Sequence, residues 1–69
     1  MQGMHITLNG ESLELETPLT LTELVDHRGL REARVAIEVN GVIAPRSQHH
    51  CWSVQAGDRI EIVRALGGG

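Results

Sequence analysis

V-A-I-E-V-N-G-V-I-A-P, Val35 to Pro45, is the stretch on which the fold turns. Val35, Ile37 and Val39 alternate with Ala36 and Glu38, the period of two that lays apolar side chains along one face of a strand. Asn40-Gly41 then offers two residues that accept positive φ, as a two-residue hairpin turn requires. Pro45 has no amide to give to a ladder, so the strand opened by Val42 ends there or lies at a sheet edge.

Working outward, H-I-T-L-N-G-E-S-L-E-L-E (His5 to Glu16) repeats the device. Ile6 and Leu8 share one face of their strand, Leu13 and Leu15 share one face of theirs, and Asn9-Gly10 supplies the turn. Between the two hairpins, Thr20 followed three residues later by Glu23 has capping-box spacing. Leu21, Leu24 and Val25 then fall on one helical face, and Gly29 can close a helix of two to three turns, Leu21 to Arg28. Beyond Pro45, Arg46 to Val54 forms a polar connection with a short helical turn. Ala56-Gly57-Asp58 leads into R-I-E-I-V, with Ile60 and Ile62 facing the core. The order is strand, strand, helix, strand, strand, connection, strand. A sheet with one helix packed across a face buries both apolar surfaces, which predicts an α+β roll with a mixed sheet of four to five strands.

Composition narrows the function. The 69 residues are 41% hydrophobic, enough for one small globular domain. Phe and Tyr are absent and Trp52 is the one aromatic, so the core falls to Leu, Ile and Val. A lone cysteine, Cys51, allows no internal disulfide and fits a reducing cytoplasm. The first twenty residues mix charges with turns and read as neither signal peptide nor membrane span. Net charge is −3 and the basic residues are scattered, without the basic stripe and stacking aromatics of a nucleic-acid binder. An acidic, aromatic-poor surface points to protein partners.

The strand order is that of β-grasp, ubiquitin-like domains. The second half, V-N-G-V-I-A-P-R-S and then A-G-D-R-I-E-I-V-R-A-L-G-G-G, resembles the ThiS family of sulfur carriers, and the similarity covers nearly the whole chain. Its most specific parts are Val39-Asn40-Gly41 with Pro45-Arg46-Ser47, Gly57-Asp58, and Gly68-Gly69. One departure is that family members often carry an aromatic soon after the Pro-Arg pair, where this chain has His49 and His50, with Trp52 slightly later. On this reading residues 1–64 form the β-grasp domain and residues 65–69 a flexible tail.

The tail carries the expected chemistry. At an average glycine usage of about 7%, three in a row at a given place should occur in roughly 3 of 10,000 chains, so Gly67, Gly68 and Gly69 ask for a reason. Glycine has no Cβ to collide with the walls of a narrow site and adopts backbone angles closed to other residues. A frayed end would also tolerate glycines. Resemblance to ThiS implies that a ThiF-like adenylyltransferase uses ATP to adenylate Gly69. It further implies that a cysteine desulfurase system supplies sulfur to give a thiocarboxylate, and that thiazole synthase receives it in thiamin biosynthesis. Ala65 and Leu66 would give the partner an apolar handle, with Gly67 and Gly68 entering its active site. No cofactor, metal or catalytic side chain of the chain's own is implied. Sulfur carriage for molybdopterin synthesis or protein conjugation, and a plain β-grasp interaction module, stay open as alternatives.

The other candidates read as structural. His49-His50-Cys51 are adjacent and diverge, unlike ligands that converge on zinc, so the expectation is a solvated loop. Cys51 is expected as a small buried or half-buried hydrophobe rather than a sulfur-carrying thiol. Trp52 is expected to cover the core in part, with an interface anchor as its other reading. Glu11, Glu14, Glu16 and Glu23 read as a solvated acidic surface. No Ser/His/Asp order, phosphate loop or paired carboxylates suggest an independent enzyme.

Overall fold

The computed structural model describes residues 3–30 and 34–64. Five strands and one helix follow the expected order: β1 (Met4–Leu8), β2 (Glu11–Leu15), α1 (Leu21–His27), β3 (Val35–Val39), β4 (Val42–Ala44) and β5 (Arg59–Arg64), with a 3-10 turn at Arg46–Gln48. The sheet order is β2-β1-β5-β3-β4. β1 pairs parallel with β5, and every other pairing is antiparallel.

Both hairpin turns are made as the sequence predicts. Asn9 and Gly10 have φ of 51° and 84°, and Asn40 and Gly41 have 54° and 85°. Positive φ at both central residues twists the turn with the strands instead of splaying them. β4 stops at Ala44, before Pro45, and is an edge strand.

The helix is two turns long and owes its existence to its ends, because a peptide this short has too few internal bonds to persist alone. Each of its first amides finds an acceptor. Leu21 N–H donates to the Trp52 carbonyl (3.0 Å) and Thr22 N–H to the His49 carbonyl (3.2 Å). Glu23 N–H donates to Thr20 Oγ1 (3.1 Å), and Glu23 Oε1 accepts from Thr20 N–H (2.9 Å), completing the capping box. At the other end Leu30 N–H reaches the Val25 carbonyl and Gly29 N–H the Asp26 carbonyl, the paired bonds of a Schellman motif.

The core is aliphatic, as the composition requires. Leu21, Leu24 and Val25 of α1 pack onto Ile6, Leu8, Leu15, Val35, Ile37, Val39, Ala44, Ile60 and Ile62 of the sheet, with Val54 closing one side. Trp52 and Leu13 are partly buried against this cluster, so Trp52 does cover the core.

Two expectations about the connection are corrected. His49 is not solvated: it is 1% exposed, and its Nε2–H donates to the Ala44 carbonyl at 2.9 Å. A carbonyl only accepts, so the ring hydrogen lies on Nε2. The cause is the helix N-terminus. The connection folds back to bring the His49 and Trp52 carbonyls to the first amides, which turns the His49 ring under β4. Cys51 is exposed rather than buried, its Sγ–H directed at the Gln48 carbonyl (3.6 Å). In so tight a turn residues three apart face the same way. His49 and Trp52 take the inner positions, leaving Cys51 and His50 outside.

Candidate functional site: the end of β5 and the sheet face beside it

β5 is the centre of the sheet, and the C-terminal segment leaves from it. On one side β5 pairs with β3 from Val39↔Ile60 to Val35↔Arg64; on the other it pairs with β1 at Thr7↔Arg59 and Leu8↔Ile60. Ile60 (0% exposed) and Ile62 (7%) point into the core and anchor it. The final register pair sets Arg64 beside Val35, so β5 is held up to its last described residue. Ala65, Leu66, Gly67, Gly68 and Gly69, on which the expected chemistry rests, lie outside the described residues.

Side chains tie the two ends of β5. At its start Asn40 Oδ1 accepts from Arg59 N–H (2.8 Å), and Asn40 Nδ2 donates to Asp58 Oδ1 (3.0 Å). Asp58, 9% exposed, spends its other oxygen on Gln55 N–H (2.8 Å). At its far end Asn9 Oδ1 accepts from Ile62 N–H (2.8 Å), and Asn9 Nδ2 donates to the Ile62 carbonyl (3.2 Å). Read as sequence, Asn9 and Asn40 are turn formers only, and these roles go unseen.

The sheet face turned away from α1 carries a second feature. An antiparallel face open to water ordinarily presents polar residues. Here Ile43 (58% exposed) and Val63 (56%) are on it. The registers Ile43↔Glu38 and Val63↔Ala36 put them on one face with Ala36, around the directly opposed carboxylates Glu38 and Glu61. Apolar residues exposed on one sheet face make it a candidate partner-binding surface. The doublets Val42-Ile43 and Ile62-Val63 break strict alternation and are the signal in the sequence that marks this face.

The remaining candidates are not gathered here. His5 and His27 are exposed on β1 and α1, and His50 and Cys51 sit on the connection. Among the described residues no three His, Cys, Asp or Glu side chains come together as metal ligands, and no helix is long and apolar enough to cross a membrane.

A five-stranded mixed sheet in this order, one helix across its inner face and a central last strand running into a glycine-ended segment, defines a β-grasp domain. The crystal structure of thiamine biosynthesis protein ThiS from Geobacter metallireducens superposes with a TM-score of 0.81 at 30% identity, covering 96% of this chain and 100% of that one. The sequence model of the ThiS family matches residues 6–69, and the chain belongs to that family. The sulfur carrier protein ThiS of Escherichia coli (strain K12) is 32% identical over 66 residues, which are 96% of this chain and 100% of that protein. A thiazole synthase of Paramagnetospirillum magneticum is 35% identical over 66 residues, and there the similarity spans only 20% of the larger protein.

Proposed function

We propose that this protein is a cytoplasmic sulfur carrier of thiamin biosynthesis whose working group is the carboxyl of Gly69. A ThiF-like adenylyltransferase joins that carboxylate to the AMP moiety of ATP and releases pyrophosphate. A persulfide sulfur, supplied by a cysteine desulfurase system, attacks the activated carbonyl and displaces AMP. Reductive cleavage of the resulting acyl disulfide by a thiol leaves the thiocarboxylate that thiazole synthase consumes. The chain acts as a protein cosubstrate; ATP is bound and used by the partner.

The observation that carries this reading is the fixing of β5. The strand is paired through Arg64, and an exposed apolar face lies beside its end. Such a carrier needs a surface on which the activating enzyme can seat and a fixed strand from which its C-terminal segment continues. Family membership supports the chemistry, and a ThiS-like stretch within a thiazole synthase supports that enzyme as the acceptor. Ala65 and Leu66 supply the apolar handle, and Gly67 and Gly68 pass into the partner's active site.

Incubation with ATP, a ThiF-type enzyme and a persulfide source tests it. Intact mass should rise by the difference between a sulfur and an oxygen atom, and an alkylating reagent should label the C-terminal peptide. Deletion of Gly69 and Gly68→Val should both abolish the change without moving the melting temperature, because a β-branched side chain restricts and widens the segment. An unchanged mass with partners proven active on another carrier overturns the proposal.

A further inference from the structure

The parallel ladder between β1 and β5 is short. Thr7 N–H donates to the Asp58 carbonyl and Asn9 N–H to the Ile60 carbonyl, each at 2.9 Å. There β1 turns away into β2, while β5 runs on to Arg64. The next polar groups of β5 on that side are the N–H and carbonyl of Ile62, and the side chain of Asn9 takes both. A carboxamide is chemically a peptide group. Asn9 therefore continues β1 by one residue after its backbone has left the sheet.

Turn geometry favours asparagine but does not require it. At φ of 51° glycine is the easiest residue, and aspartate is also tolerated. Asparagine offers what neither has, a donor and an acceptor on one planar group. The pairing with Ile62 uses both, and it acts two positions before Arg64.

We propose that Asn9, through its two-way pairing with Ile62, is a positioning residue that holds the end of the strand from which the C-terminal segment continues. The inference rests on the carrier reading above. An enzyme that seats on the outer face finds that face unchanged when Asn9 is removed, so affinity is kept. The fraction of seated complexes with Gly69 in place falls, because the end of β5 is then held on its β3 side alone. Loss of positioning of this kind lowers turnover rather than binding.

Asn40 provides the internal comparison, since its side chain holds the start of β5 and not its end. Asn9→Gly and Asn40→Gly each keep a residue suited to the turn and delete an amide that bonds β5. Steady-state adenylation by a ThiF-type enzyme should show kcat about tenfold lower for Asn9→Gly with KM within about twofold of the parent. Asn40→Gly should keep the parent's kcat. Amide hydrogen exchange provides a readout independent of sulfur chemistry. In Asn9→Gly the Ile62 amide should exchange about tenfold faster relative to Glu61, whose amide faces β3, than it does in the parent. Asn9→Asp keeps the acceptor and should keep Ile62 protected. An unaltered ratio of Ile62 to Glu61 exchange in Asn9→Gly overturns the clamp. An unaltered kcat, or an equal fall in Asn40→Gly, overturns the positioning role. A parent chain that is never adenylated overturns the carrier reading and the kinetic role with it, while Ile62 exchange still decides whether Asn9 holds the strand.

Discussion

Replacing Ile60 with alanine tests the claim that β5 is the keystone of the sheet. Ile60 is 0% exposed and lies between Leu8 on β1 and Val39 on β3, both buried. Ile→Ala removes three carbons, worth about 0.8 kcal/mol each in lost transfer energy, or about 2.4 kcal/mol in sum. A cavity enclosed by two strands and a helix collapses poorly, and its contribution brings the expected loss to about 3.5 kcal/mol. A domain of this size has a total stability of roughly 3.5–10 kcal/mol, so between a third and all of it is removed. With a urea m-value near 1 kcal/mol/M, the midpoint should fall by about 3.5 M with m itself unchanged. The melting temperature should fall by roughly 15–25 °C. Val63→Ala on the same strand is the control. At 56% exposure it should cost less than about 0.5 kcal/mol. Comparable losses in the two variants would refute the alternation of β5 and the placement of its core face.

Other perturbations separate the remaining roles. His49→Ala leaves the Ala44 carbonyl without its ring donor and opens a void, and should cost about 2–4 kcal/mol by urea denaturation; a loss under about 0.5 kcal/mol would mean the ring does not hold the connection. Cys51→Ala should change stability by less than about 0.5 kcal/mol and leave sulfur loading intact. A folded Cys51→Ala protein that accepts no sulfur would move the carrier role to the thiol. Glu61→Lys replaces a like-charge pair with Glu38 by an opposite one and should stabilise the fold by about 0.2–1 kcal/mol, less at high salt; thermal melts at two ionic strengths check both parts.

Much of the fold was legible because the sequence states it locally. The alternation of Val35, Ile37 and Val39, the two Asn-Gly turns, the Thr20–Glu23 box and the stop at Pro45 all depend on residues a few positions apart. The errors at His49 and Cys51 arose where the deciding partner was remote. Nothing near residue 49 announces that its carbonyl must satisfy an amide of Thr22, and that requirement turns the ring inward. The side chains of Asn9 and Asn40 were hidden for a related reason. Their turn-forming role sufficed to explain them, and the strand they clamp lies 53 residues from Asn9 and 19 from Asn40. The outer apolar face left a trace in the doublets Val42-Ile43 and Ile62-Val63, visible only once strict alternation is taken as the reference.

The strand order also dictates when this protein can fold. During synthesis, at roughly 5–20 residues per second, the β1–β2 and β3–β4 hairpins emerge first. They are not neighbours: β5 separates them in the finished sheet. An isolated hairpin is marginal in water, so until β5 arrives the nascent chain holds two such pieces and an uncapped helix face. Inserting β5 joins both hairpins at once and closes a loop of about fifty residues, an entropic cost that must be met before any reward. Folding of the sheet therefore waits for β5. A ribosome-bound chain truncated before Arg59 has no sheet to protect it, and proteases should clear it rapidly.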